Sequence, residues 1–306
     1  LQRASADTYH LLQTYLENFT MHQNLTRTVV CAATLICTMA TQAATFSDTS
    51  IGYRYGTDFN EPFNKDHISK DILNLNHVSG YKYGTNFFNV DMLMSDSKDQ
   101  AGSGSGNGAQ EIYVVYRNTV DLEKVTGSAY KFGPVRGLGV TAGFDFNTKT
   151  DAGYNSKKRM LVAGPTFMMD VPGFLNISLL MLWESNAPYS TFPGANPASV
   201  PRYGYDAHAM LGAAWGIPLG NSGLSFEGFA NFIDAKGKNE KGGDTAAETN
   251  VDMQVMYDVS SLIGASPKSL KVGLEYQYWN NKFGNDSDKV KGATANTPMV
   301  RVEYHF

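Results

Sequence analysis

The chain has 306 residues, 25 Lys and Arg against 29 Asp and Glu, and a net charge of -4, which leaves no basic footprint for nucleic acid. Aromatic residues make up 12% and glycine 30 positions, and beyond residue 44 no apolar run reaches the ~18 residues of a membrane-spanning helix. A soluble β-sandwich and a transmembrane β-barrel both satisfy these figures, so period and spacing decide between them.

Residues 1–20 begin with Leu and form a weak amphipathic segment, taken as an over-extended N-terminus ahead of a start at Met21. Residues 21–44 have the layout of a secretory signal peptide: a polar stretch through Arg27, an apolar stretch Val29–Ala40, and small residues Ala43 and Ala44 at the expected cleavage site. The apolar stretch is too short to span a bilayer. Both cysteines, Cys31 and Cys37, lie inside it, so the exported chain is expected to form no disulfide and no thiolate metal site. Cleavage removes Arg3, Arg27, Asp7 and Glu17 together, and the net charge stays at -4.

From residue 45 to 306 the dominant signal is a period of two, which is the signature of strands with one wet and one apolar face. Ile51, Tyr53 and Tyr55 alternate with Ser50, Gly52 and Arg54, followed by a less regular segment near Ile72 to Val78. Phe88, Val90, Met92 and Met94 alternate with Phe87, Asn89 and Asp91; Ile112, Val114 and Tyr116 alternate with Tyr113 and Arg117. The fifth segment sets Leu138, Val140, Ala142, Phe144 and Phe146 against Gly137, Gly139, Thr141, Gly143 and Asp145. The sixth, Lys158 to Met169, is apolar on both parities and its faces stay unassigned. Five further segments alternate about Leu175–Trp183, Ala207–Trp215, Phe226–Phe232, Val251–Tyr257 and Leu270–Tyr278. The last is Met299–Phe306, with Val300, Val302, Tyr304 and Phe306 opposing Arg301, Glu303 and His305. Twelve strands is an even number, as single-chain bacterial outer-membrane barrels require, and an all-β, twelve-stranded antiparallel transmembrane β-barrel is the expected fold.

The connections near 57–69, 96–109, 147–156, 185–203, 236–248 and 280–295 are long and polar, whereas 79–84, 170–173 and 218–223 are tight. Long loops on one side and short turns on the other are the outer-membrane pattern, with the long side outside the cell. The linkers 118–135 and 258–268 fall on the turn side but are longer, and helical turns are expected near Asp121–Val125 and Ser260–Ala265. Outward aromatics should form two girdles: Tyr53, Tyr55, Phe144, Phe146, Trp183, Phe232 and Tyr278 at the outer end, Tyr116, Trp215, Tyr257, Tyr304 and Phe306 at the inner.

The other parity faces the lumen and carries Asp91, Asp145, Glu184, Asp206, Glu227, Asp252, Glu275 and Glu303 with Arg54, Arg117, Lys271 and Arg301. Mixed charge suits a water-filled pore, and the acidic excess disfavours an anion channel. Phe87, Tyr113, Phe174, Phe229 and Trp279 share that face, where they either stack flat solutes or pack against inward-folded loops. Candidate substrate-binding residues are therefore Phe87, Asp91, Tyr113, Arg117, Glu184, Asp206, Glu227, Phe229, Glu275 and Arg301. No cofactor is expected, and the partners are outer-membrane lipid and a small solute. The glycine pattern Gly137-Leu-Gly-Val-Thr-Ala142 opens no helix and is rejected as a dinucleotide fingerprint, and the Gly102–Gly108 stretch lacks the Lys-Ser/Thr ending of a phosphate loop. His208 with Asp206 and His305 with Glu303 are the pairs a barrel hydrolase would need, but i, i+2 neighbours on one strand face adjoin by geometry alone.

The stretches Ser47–Gly56, Gly80–Asp91, Phe226–Phe232 and Gly273–Trp279, with the final Phe306, resemble the nucleoside-specific channel-forming (Tsx) family of outer envelope proteins. The resemblance covers about 46–306 and implies a monomeric barrel with a narrow, keyhole-like pore lined by aromatic and ionisable residues, passing nucleosides and deoxynucleosides. A less selective porin and a plugged barrel acting through its loops, notably the Pro-rich 185–203, are the alternatives.

Overall fold

The computed structural model describes residues 44–99, 108–191 and 199–306. The N-terminal extension, all but the last residue of the signal segment, 102–107 of the glycine-rich loop and 192–198 of the Pro-rich loop lie outside the described residues.

Twelve long strands carry the fold: β1 (Phe46–Phe59), β2 (Ile68–Tyr81), β3 (Gly84–Ser95), β4 (Gln110–Asp121), β5 (Val135–Thr150), β6 (Arg159–Met169), β7 (Phe174–Asn186), β8 (His208–Pro218), β9 (Leu224–Ile233), β10 (Glu248–Asp258), β11 (Leu270–Asn280) and β12 (Ala295–His305). Each pairs antiparallel with its neighbours in sequence, and β12 closes on β1 from Ser50↔His305 to Gly56↔Met299. Each of the twelve long strands is thus paired on both sides, which is the condition for placing strands in lipid.

The connections alternate as expected. Two-residue and four-residue turns join β2 to β3 and β6 to β7, and the two longer linkers on that side hold a helical turn at Leu122–Thr126 and a 3-10 turn at Ser260–Ile263. Asp121 caps the first by accepting from the Glu123 N–H at 3.0 Å, and Gly127 closes it in the left-handed conformation. On the long-loop side, Tyr154–Asn155 pairs with Tyr189–Ser190, and Tyr203–Gly204 extends the sheet beside Ser185 and Asn186.

Directly opposed residues in an antiparallel pair share a face, so register converts the alternation into two walls. Ile51, Leu73, Leu161, Leu179, Leu211, Val255, Leu274 and Val300 are 43–69% exposed on the outside. Such a belt right around a closed barrel is the lipid-facing surface of a bacterial outer-membrane protein. Register also resolves the two obscure segments: Ile72 and Asn74 face inward with Leu73 and Leu75 outward, and Met160, Val162 and Thr166 face inward with Leu161 outward. Those strands concealed their period because their inner faces are apolar where they meet two small interior clusters, Phe59, Ile68, Ile72 and Met299 in one, Met160, Val162, Leu180, Leu182 and Met210 in the other.

The proposed sorting of aromatics into two girdles needs one correction. Tyr116 and Phe144 oppose each other across β4 and β5 with ring centroids 5.5 Å apart, so they stand at one height rather than at opposite interfaces. The alternation legible in the sequence stops at Tyr116, whereas β4 continues to Asp121, which puts Tyr116 inside the strand.

The lipid face makes a direct test. Val300→Arg, at an outward position in the middle of β12 that is 53% exposed, should destabilise the barrel in vesicles by about 2–4 kcal/mol, as charge at the bilayer midplane does. Urea titration of folding into vesicles reads this; an unchanged midpoint would mean that Val300 faces water.

Candidate functional site

The lumen wall is built from the inward parity of all twelve strands, and its charges are paired in tiers. Toward the short-turn side, Lys271 lies 3.1 Å from Glu227, which also accepts from the Ser225 hydroxyl at 2.6 Å and the Gln254 amide at 3.2 Å. Higher in the wall, where Tyr113 opposes Asp91 and Asp145 shares a row with Met160 and Glu184, Arg117 meets Asp145 at 2.5 Å and Tyr113 donates to the same carboxylate at 2.9 Å.

At mid-barrel Arg54 bridges Asp91 at 2.5 Å and Glu275 at 3.0 Å, while Arg301 bridges Glu275 at 2.7 Å and Glu303 at 2.5 Å. The Asn74 amide adds a donor to Asp91 at 2.7 Å, and Gln277 donates to Asp252 at 3.1 Å. This tier spans β12, β1, β2, β3, β10 and β11, and it exists because closure sets Arg54 and Arg301 opposite each other. Two like charges face to face are tolerable only with carboxylates between them.

The outer end holds two lysine-rich clusters. Glu184 sits 2.8 Å from Lys236 and 3.6 Å from Lys158, and the Lys158 ammonium stands 5.9 Å from the Tyr113 ring centroid. Beside them, Glu61 descends from the β1–β2 connection and meets Lys70 at 2.7 Å, Lys282 at 3.2 Å and Lys149 at 3.5 Å. Lys149 and Lys70 also reach Asp99 at 3.0 and 3.5 Å, and Lys282 donates to the Asn60 carbonyl at 2.9 Å. All five ionised side chains are buried. Burial alone would raise the Glu61 carboxyl, but Lys149, Lys282 and Lys70 outweigh it and hold the group well below the usual carboxylate range. Burial pushes the Lys282 ammonium down, with Glu61 opposing.

Nine of the ten candidate residues occupy the inner wall. Asp91, Arg117, Glu184, Glu227, Glu275 and Arg301 are ion-paired, and Tyr113 is engaged with Asp145. Phe87 opposes Arg117 across β3 and β4, Phe229 opposes Asp252 across β9 and β10, and Phe87 stays 37% exposed. Asp206 is the exception. Strand β8 begins at His208, so Asp206 lies in the loop, exposed, with its carboxylate against Gly237. His208 Nδ1 lies 2.9 Å from the Asp206 backbone carbonyl, not its carboxylate, so the pair is no dyad.

Glu61, Lys70, Asp99, Lys149, Lys158, Lys236 and Lys282 were missed as lumen groups because they sit at strand ends or in loops, where alternation carries no signal. They remove most of the acidic excess expected from strand parity and leave the outer mouth rich in lysine. Trp279 likewise is bound, donating to Glu248 at 2.7 Å. At the outer end a small cavity of about 10 Å³ lies among His208, Glu184, Glu248, Lys158 and Lys236. A larger recess of about 420 Å³ opens at the other end among Asp121, Lys131, Arg136, Met168 and Asp170.

No family profile matches the chain, and no curated protein matches it. Among solved structures it is similar to the translocator domain of the autotransporter NalP from Neisseria meningitidis, at 12% identity over 92% of this chain and 98% of that chain with a TM-score of 0.45. It is similar to an outer membrane channel from Pseudomonas putida F1 at 11% identity, 87% and 97% coverage and a TM-score of 0.45, and to the KdgM porin at 12%, 84% and 99%, and 0.38. These likenesses carry no functional information.

The Glu61 cluster yields a pH prediction. A carboxyl whose pKa is lower folded than unfolded contributes stability that is fully present above the ordinary value of about 4.3 and lost as pH falls toward the folded value. Glu61→Gln leaves buried lysines underpaired and should cost about 3–5 kcal/mol of local stability at neutral pH. Limited proteolysis of the 60–67 loop should therefore be fast in the variant at pH 7 and, in the native protein, accelerate only below about pH 4. Equal cleavage of both at pH 7 would show that Glu61 does not anchor the loop.

Proposed function

We propose that the chain is a passive outer-membrane diffusion channel with a narrow lumen, and that its solutes are small, flat and polar, nucleosides foremost. One observation carries the channel reading: paired ions line the inner wall at each level from the short-turn side to the outer end, beside two small apolar clusters. A barrel that served only as a plug would be held as well or better by apolar side chains, because pairing rarely repays the desolvation of buried ions. Charge at every height has its physical justification where water and solute pass.

The solute class follows from Phe87 and Phe229. Each ring shares the lumen face with a directly opposed ionisable side chain, Arg117 for one and Asp252 for the other. A ring face beside hydrogen-bonding charge suits a flat heterocycle carrying hydroxyl groups. Tyr113 and Trp279 already spend their polar atoms on Asp145 and Glu248, so their part is to shape the passage. The stretches resembling the nucleoside-specific family point to the same solute and to a monomer. Transport needs no cofactor and no catalytic group.

The plugged-barrel alternative draws on a different observation, the ion pairs that tie Glu61 to the lysines around it at the outer end. If that network closes the mouth permanently, the loops carry the function.

Single-channel recording of the chain from Ala44 in a planar bilayer separates the two. The expected result is small conductance steps that adenosine and thymidine block and glucose does not, with Phe87→Ala and Phe229→Ala each weakening the block roughly tenfold, the usual scale of one stacked base. Steps indifferent to all three solutes would replace the nucleoside reading with a general pore. Absence of steps in both the native protein and Glu61→Gln would overturn the channel.

A further inference from the structure

Outside the lumen, the outer rim of β6 and β7 holds two arginines that have no ion-pair partner among the described residues. Arg159, the first residue of β6, faces outward: Met160 beside it points into the barrel, and Arg159 stands in one row with Phe146 of β5 and Ser185 of β7. The next row toward the bilayer centre is Phe144, Leu161 and Trp183, with Leu161 60% and Trp183 49% exposed. Arg159 therefore sits one step above the aromatic edge of the lipid-facing belt, on the side of the long loops.

Arg202 comes to the same place from the loop ahead of β8. Its guanidinium donates to the Ser185 hydroxyl oxygen at 3.1 Å and to the Lys157 carbonyl at 3.0 Å. These bonds fix the group beside Arg159, and burial together with the Arg159 charge lowers its pKa. Among the described residues neither arginine makes an ion pair, although Lys157 adds a third exposed cation next to them. Like charges pressed together without a carboxylate are destabilising unless an anion joins them from outside.

We infer that Arg159 and Arg202, with the Ser185 hydroxyl between them, bind a phosphate group on an outer-leaflet glycolipid. Guanidinium groups match phosphate oxygens by paired N–H donors, and the Ser185 hydroxyl hydrogen remains available to a third oxygen. The row below supplies the other half of the ligand. Leu161, Trp183 and Phe144 offer apolar and aromatic surface where acyl chains begin, so headgroup and tail meet complementary surfaces in the order a lipid presents them. A free anion would use only the upper half, and for that reason the site is assigned to lipid. The inference rests on the fold and its outward face, and it stands whether or not the lumen conducts.

Native mass spectrometry of the detergent-folded protein, titrated with a phosphorylated lipid A and with the same lipid dephosphorylated, tests it. The expected result is that the native protein retains the phosphorylated form preferentially and that Arg159→Gln/Arg202→Gln reduces retention roughly tenfold or more, while Lys124→Gln at the opposite end changes nothing. Because Arg202 braces a loop, Arg159→Gln alone is the second arm; its side chain braces nothing, and it should still lower retention severalfold. Unchanged heat-modified mobility on gels establishes that the variants remain folded barrels. Equal retention of the two lipids, equal retention by native and variant proteins, or full displacement by excess inorganic phosphate would each overturn the assignment.

Discussion

Closure of the sheet is the constraint from which the rest follows. In lipid no water satisfies a stray N–H or carbonyl, so the pairing of β12 with β1 is the step that makes a membrane-spanning wall possible at all. Closure also decides which residues meet. It sets Arg54 opposite Arg301, a juxtaposition 247 positions distant along the chain, and so obliges Glu275, Asp91 and Glu303 to gather there. The mid-barrel network is thus a consequence of register, and any slip by one residue would turn those charges outward into lipid.

The interior answers a second requirement, that twelve strands enclose little volume. A barrel of this size is filled mainly by its own side chains, and here they fall into separate regions: paired ions through the middle, and small apolar clusters near the outer end where Ile72 and Met160 face inward. Crowding also explains some glycines. A Cβ at Gly143 would lie 2.0 Å from the Tyr116 carbonyl and one at Gly164 1.9 Å from that of Leu179, so the strands there approach more closely than any side chain permits. The glycine-rich stretch of β5 is a packing device of the wall.

Much of this was legible in the sequence because a period of two carries a face label on every residue. Ile51, Tyr53 and Tyr55 against Gly52 and Arg54 needed no structure, and neither did the alternation of long and short connections. Legibility failed wherever the label was absent or contradicted. The β6 segment puts Met160 and Val162 inside and Leu161 outside, all three apolar, so parity is mute there. Asp206 carried the right parity but lies before β8 begins, and its carboxylate turned toward Gly237. Tyr116 ends the alternation legible in its segment, but β4 runs on to Asp121, so the ring lies within the strand directly opposite Phe144.

The largest gap concerned charge, and its cause is physical. Strand parity counts only residues that alternate, whereas an ammonium on a four-carbon stem reaches the lumen from a strand end or a loop. Lys236 and Lys282 come from connections, Lys70, Lys149 and Lys158 from the outer ends of strands or just before one, and together they convert an acidic wall into an outer mouth where lysine predominates around Glu61 and Glu184. The two ends of the lumen are therefore governed by different parts of the chain. The middle is set by register and can change only with the barrel, but the mouth is set by loop residues that can change independently of it. The mouth and the wall are for this reason structurally separable, and a substitution at Glu61 can alter the first without disturbing the pairing of Arg54, Glu275 and Arg301 in the second.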